Sequence, residues 1–185
     1  MTSGRSARAA GPRASRVRKV TLRAATGKDA RRIDELIAAN LSEGHLLPRE
    51  LSELMAHAER FVVAVDGRGS IVACAELAPL SHNLAEVRSL VVGARHRGTG
   101  VGRRLVDDLQ YRARIAGYDV LCAFTHQPAY FARMGFSIVP HTWLPEKISA
   151  DCQSCPMFRR CGQYAMLAPL EPLRQNRSAD HALHV

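Results

Sequence analysis

Residues 95–104 read RHRGTGVGRR, between an apolar run at residues 87–92 and a helical pattern that begins at Val101. A β-strand that feeds a glycine-rich turn and then a helix is a device for holding phosphate. Glycines let backbone N–H groups converge on an anion without interference from Cβ. The helix N-terminus adds unpaired donors and the positive end of a dipole. Arg95, Arg97, Arg103 and Arg104 place positive charge around the same point. The expected ligand carries a pyrophosphate, and the strand–loop–helix unit commits the chain to a sheet flanked by helices.

At 185 residues the chain is long enough for one domain with a proper core. Its 46% apolar content fits a globular protein. No run approaches the roughly 20 apolar residues of a membrane span, so no membrane partner is expected. The formal net charge is +9, but Arg5, Arg8, Arg13, Arg16, Arg18 and Lys19 account for six of those charges, leaving +3 for residues 20–185. Residues 1–19 therefore read as a basic disordered arm that cannot bury apolar surface. A transit peptide and a nucleic-acid tether are the competing readings, and nucleic acid is not the expected partner. Residues 171–185 read as a polar tail. Five cysteines and the lack of a secretory signal point to a reducing cytosol, hence a cytoplasmic protein.

Along residues 20–170 the pattern alternates strand and helix. Residues 20–24 form a short strand. Thr26 and Asp29 make a capping box for a helix with Ile33, Leu36 and Ile37 on one face, which breaks at residues 43–48. A second helix carries Leu51, Leu54, Met55 and Ala58 inward. Residues 61–65 and 71–77 pair as a hairpin through Asp66-Gly67-Arg68-Gly69. Another strand covers 86–92. After the glycine loop, Val101, Leu105, Leu109, Ala113 and Ala116 mark a helix that Gly117 stops. Residues 119–125 read as a buried strand, 127–134 as a short helix, 136–139 as a strand, and 163–170 as a last edge strand.

A Walker A loop needs Gly-Lys-Ser/Thr, which is absent, and a dinucleotide fingerprint needs a different glycine spacing. What is present is R-x-x-G-x-G in Arg97-Gly98-Thr99-Gly100-Val101-Gly102, after a strand and before a helix. This resembles the pyrophosphate loop of the GNAT superfamily of acetyltransferases, and residues 129–136 (AYFARMGF) resemble that superfamily's later helix ending in Gly-Phe. The resemblance covers residues 20–140 and implies the GNAT fold, a mixed central sheet flanked by helices. It also implies acetyl-CoA as co-substrate, held by Leu90, Val91, Val92, Arg97, Gly98, Thr99, Gly100, Val101, Gly102 and Arg103.

Acetyl transfer to an amine needs a neutral nucleophile, so a base must remove a proton, often through water. Glu86, on the strand before the loop, stands where the superfamily often places its base; a salt bridge to Arg88 is the competing role, and Glu76 is the reserve candidate. Many members carry a tyrosine four residues before the Gly of Gly-Phe. Here that position is Phe131, and Tyr130 stands about 100° round the helix, where it reads as a packing aromatic. A thiol of pKa about 8.5 leaves tolerably without a dedicated acid.

Residues 21–26 (TLRAAT), 44–49 (GHLLPR), 71–75 (IVACA) and 143–147 (WLPEK) resemble the acetyltransferase domain of bacterial N-acetylglutamate synthases, in a short, stand-alone form without their kinase-like domain. That resemblance implies L-glutamate as acceptor, with acetylation of its α-amino group for arginine biosynthesis. Glutamate's two carboxylates need cations or backbone donors, and Leu47, Arg49, Arg88 and His126 are the candidates. Another amine, such as a protein N-terminus, and a non-catalytic acyl-CoA-binding regulator are the alternatives, and a homodimer is allowed. Cys152, Cys155 and Cys161 form a C-x2-C-x5-C cluster in the extension at 141–162. With His141 it could hold structural zinc, although one unmatched C-x2-C pair favours reduced, packed thiols. Cys74 and Cys122 read as small buried hydrophobes.

Overall fold

The computed structural model describes residues 20–43 and 46–171. The basic arm, all of the tail after Glu171, and Gly44 and His45 of the 44–49 segment lie outside the described residues. Seven strands build one mixed sheet: β1 (Val20–Ala24), β2 (Phe61–Asp66), β3 (Ile71–Pro79), β4 (Leu84–Val92), β5 (Val120–Thr125), β6 (Ser137–Val139) and β7 (Tyr164–Pro169), in the order β1-β2-β3-β4-β5-β7-β6. Among the described residues only β4 and β5 run parallel, as their connection through a crossover helix requires.

That helix, α3 (Val101–Ile115), turns Val101, Leu105, Val106, Leu109 and Ala113 inward and leaves its charged residues outside. With α4 (Pro128–Ala132) it covers one face of the sheet, packing on Val62, Ala64, Ala73, Ala75, Val87, Leu121 and Ala123. Helices α1 (Ala30–Ala38) and α2 (Leu51–Ala56) cover the opposite face. There Ile33, Ile37 and Leu54 meet the alternate strand residues Phe61, Val63 and Cys74. A third cluster, Leu84, Cys122, Leu144 and Ala165, lies toward the β5–β7 end.

Local chemistry explains the boundaries. Gly117, at φ +83°, ends α3 with a Schellman pair: its N–H donates to the Arg114 carbonyl (3.2 Å) and Tyr118 N–H donates to that of Ala113 (3.0 Å). At the hairpin, the Asp66 carboxylate accepts N–H bonds from Arg68 (2.9 Å) and Ser70 (3.0 Å), which holds its pKa below the usual carboxylate range. Before α1, Asp29 accepts the Thr26 N–H at 2.9 Å and a two-pronged Arg23 guanidinium at 2.7 and 2.9 Å.

Two elements differ from the sequence pattern. Strand β7 is not an edge: it inserts between β5 and β6, so the edge falls to the three-residue β6. A strand buried between neighbours and a strand at an edge share the same apolar run when one face is covered. Met55 faces outward at 58% exposure, because the six-residue α2 presents only Leu54 fully to the core. Among the described residues no helix is long and apolar enough to cross a membrane.

The Arg23 hydrogen bonds and charge, with the hydrogen bonds from the Thr26 N–H and hydroxyl, outweigh burial and hold the Asp29 carboxyl well below its ordinary range. Its contribution is therefore complete at neutral pH and is lost progressively as pH falls below the unfolded value of about 3.9. We expect Asp29→Ala to cost roughly 1 kcal/mol or more at pH 7. The deficit relative to the parent should shrink steadily in urea titrations from pH 5 to pH 2. A deficit independent of pH would show that the pair contributes no charge-linked stability.

Candidate active site

The cleft begins where the sheet splits. Strands β4 and β5 pair from Leu84↔Val120 to Val87↔Ala123 and then part, although β4 continues to Val92 and β5 to Thr125. On its other side β4 stays paired with β3 as far as Val92↔Ala73, but Cys74↔Val91 is followed by Glu76↔Arg88, so β4 carries one extra residue there. Within this bulge Ser89 adopts φ +50°, the only non-glycine residue with positive φ among those described. Its hydroxyl accepts a hydrogen bond from Arg49 Nη1 at 3.1 Å. The parted edge of β4 leaves backbone N–H and C=O groups at residues 88–92 facing an open notch.

The glycine loop closes the far end of this notch. Gly98 and Gly100 sit at φ +72° and +82°, and a Cβ on either would meet nothing within 4 Å, so both positions answer to backbone conformation and open outward. No side chain caps α3, whose first turn offers its N–H groups to an external acceptor. Arg103, paired weakly with Asp107 at 3.8 Å, is exposed beside it. Arg97 behaves otherwise. Its guanidinium donates to the Val92 carbonyl (3.0 Å), Asn40 (2.6 Å) and Glu43 (2.7 Å), tying the loop to the C-terminal end of α1. Arg104 likewise donates to the Val20 carbonyl at 3.0 Å. Both side chains are thus committed to protein partners, while the first-turn N–H groups of α3 have no side-chain cap.

On the α1–α2 face of the sheet, charged residues fill a crease between two apolar clusters. Register places Glu76, Glu86 and Arg88 on this one face. Glu86 is 3% exposed, and its Oε2 accepts from Arg88 Nε (3.1 Å), Arg88 Nη2 (2.8 Å) and Lys147 Nζ (2.7 Å). Its other oxygen carries no hydrogen bond among the described residues. Asp151 bridges the same two cations, at 2.6 Å to Arg88 and 2.8 Å to Lys147. Arg49 reaches in from the segment before α2 and binds buried Glu76 at 2.8 Å and Glu53 at 2.7 Å. Burial works against the Arg49 and Arg88 charges, but the adjoining carboxylates outweigh it and raise both pKa values.

The structure thus brings Glu76, Glu86 and Arg88 together from β3 and β4 with Arg49 from the segment before α2. Leu47 lies exposed on the same approach segment. The His126 ring sits against Gly162, just before β7. Lys147 and Asp151 were not singled out as site residues in the sequence. Their i,i+4 spacing was the available signal, but nothing local shows that the extension folds back onto β4.

Residues 57–138 match the acetyltransferase (GNAT) domain model. An uncharacterized N-acetyltransferase of Chlorobaculum tepidum is 32% identical over 77% of this chain and 91% of its own length. The chain belongs to the GNAT acetyltransferase family. An amino-acid acetyltransferase of Pseudomonas putida is 34% identical over 63% of this chain, which spans only 27% of that protein. The N-acetylglutamate synthase of Neisseria gonorrhoeae, solved with coenzyme A and N-acetyl-glutamate, superposes with a TM-score of 0.74 at 26% identity, covering 83% of this chain and 35% of that one.

This protein is accordingly an N-acetyltransferase that uses acetyl-CoA. Its own residues fit that co-substrate: an uncapped helix N-terminus behind two left-handed glycines suits a pyrophosphate, and the unpaired β4 edge suits an extended amide-bearing arm. The acetyltransferase also buries two cysteines, Cys74 and Cys122. Burial pushes the Cys74 thiol up to about 12 and moves Cys122 further in the same direction, so both stay protonated. Among the described residues no group of three or more His, Cys, Asp or Glu side chains converges as a metal site. Cys152, Cys155 and Cys161 are all free thiols and Cys161 is exposed, while the His141 ring stacks on Phe124 at 5.5 Å.

Tyr130 packs edge-on against Phe131 and sends its hydroxyl over Gly102. Burial and the nearby Asp107 charge raise its pKa, so it remains a neutral phenol. A Cβ at Gly102 would lie 2.5 Å from that hydroxyl and 3.3 Å from Val92 Cγ2, whereas the ring carbon behind the hydroxyl is at 3.6 Å. The third glycine is thus required by packing, not by φ. We expect Gly102→Ala to cost about 1–3 kcal/mol in thermal or urea unfolding. In a Tyr130→Phe background the cost should fall by more than half; strictly additive losses would overturn the clash.

Proposed function

We propose that the acceptor is the α-amino group of L-glutamate and that Glu86 is the general base. The observation that carries this reading is the crease beside the parted strands, where Arg49, Arg88 and Lys147 gather around Glu86 and Glu76. An acceptor with two carboxylates needs cations held in place in advance, and a guanidinium binds carboxylates through paired N–H groups. The amino-acid acetyltransferase relatives and the synthase structure support the same acceptor.

Each residue then has a physical role. Arg88 and Lys147 hold one oxygen of Glu86 and fix its carboxylate plane, while the other oxygen is left to take a proton from the ammonium through a water. Arg49, anchored on Glu76 and Ser89, offers its remaining donor capacity to a carboxylate of the acceptor. The β4 edge at Leu90, Val91 and Val92 and the loop from Arg97 to Arg103 hold the co-substrate and turn its reactive end toward the crease. Acetyl-CoA supplies an activated acyl group, and Tyr130 remains protonated near the loop without being required as an acid.

Thiol release from acetyl-CoA should depend on added L-glutamate. Turnover with peptide N-termini and none with glutamate would reassign the acceptor. Glu86→Gln should lower kcat by about 100-fold or more and leave the Kd for CoA nearly unchanged. A kcat equal to the parent's would remove Glu86 from the base role.

A further inference from the structure

The crease holds more acid than its cations require. Arg49 is shared by Glu53 and Glu76, and Arg88 and Lys147 are shared by Glu86 and Asp151. Four carboxylates face three cations, so the set carries one net negative charge before any acceptor enters. That sign is wrong for attracting an anionic acceptor unless one acid gives way.

Asp151 is the acid placed to do so. Glu86 is locked in the strand with its side chain 4% exposed, but the Asp151 side chain is 38% exposed. It grips both cations through the single oxygen Oδ2, at 2.6 and 2.8 Å. Its carrier is a π-helical turn, Ile148–Cys152, closed by the Gln153 N–H donating to the Ile148 carbonyl at 3.2 Å. Burial works to raise the Asp151 pKa, but the hydrogen bond from Lys147 and the charges of Lys147, Arg88 and Arg49 bring it below the usual range, so it is an anion at neutral pH.

We infer that Asp151 is an internal stand-in for the acceptor's carboxylate, covering Arg88 and Lys147 in the free enzyme and surrendering them when the acceptor binds. The inference rests on the acceptor reading above. Glutamate at neutral pH carries one net negative charge, as does Asp151, so the exchange leaves the crease's charge unchanged. A neutral or cationic amine cannot make that exchange, because it offers nothing for the two cations that Asp151 would leave. The device therefore selects anionic amino acids as a substrate class. It also keeps two partly buried cations from having to share the single carboxylate of Glu86 between turnovers, which would leave an uncompensated charge there.

A brace and a stand-in predict opposite signs. If Asp151 only props up Arg88 and Lys147, its loss loosens both and weakens acceptor binding. If it competes with the acceptor, its loss tightens binding. Asp151→Asn and Asp151→Ala, each checked by thermal melt and CoA binding, should lower the KM for L-glutamate about fivefold, the size of a partly exposed ion pair that no longer has to be broken. The KM for acetyl-CoA should not follow. Glutarate, a dicarboxylate without an amine, should bind both variants more tightly than the parent by a similar factor in calorimetry. Unchanged or weaker binding of glutamate and glutarate in the variants overturns the inference, as does failure of glutarate to bind any of the three proteins. A parent that binds glutarate but releases no thiol with glutamate defeats the acceptor reading alone, and the glutarate comparison still decides the role of Asp151.

Discussion

The parting of β4 from β5 after Val87 and Ala123 is the constraint on which the rest of the molecule depends. Continuous pairing would leave no open backbone edge on β4 beyond Val87. The bulge at Ser89 accompanies the split: an extra residue bends β4 and turns its last residues away from β5. Holding a serine at φ +50° costs of order 1 kcal/mol. Arg49 bonds its hydroxyl, and Cys74 Sγ lies 3.7 Å from its carbonyl, so the strained residue is tied both to the segment before α2 and to β3. The strain sits between the co-substrate notch and the acceptor crease.

The two halves of the site use different electrostatics. The loop end relies on the backbone: left-handed glycines, an uncapped helix and a packing contact between Tyr130 and Gly102. Fixed dipoles cost little to keep without a ligand. The crease relies on full charges in a partly buried setting, where an unpaired guanidinium or ammonium carries a desolvation penalty of several kcal/mol. Internal carboxylates meet that demand, so the cations stay ordered and pointed. Under the proposed reading the same pairing sets the selectivity, because an acceptor's carboxylate would displace an anion instead of filling an empty seat.

Much of the fold was legible in the residues. Periodicity located α1, α3 and the β2–β3 hairpin, and Gly117 marked the end of α3 through a conformation that other residues rarely adopt. The glycine loop announced its ligand class, since Gly98 and Gly100 respond to local backbone demands. Less legible were features set by distant neighbours. Strand β7 reads the same at an edge or between strands, and the bonds that tie the Arg97 side chain to Asn40 and Glu43 span 57 and 54 residues.

What the sequence determined by itself was the anion cradle and the alternation of strand and helix around it, because turn conformation, capping and hydrophobic period act over a few residues. The acceptor crease was decided only in three dimensions. Lys147 and Asp151 lie 61 and 63 residues from the Glu86 and Arg88 they bind, and nothing at that separation marks them as partners. Long-range pairing brings them together: β7 slots beside β5, Leu144 buries itself at the sheet's end, and the extension is drawn back across β4. Burial of apolar surface makes that choice, and the charges follow.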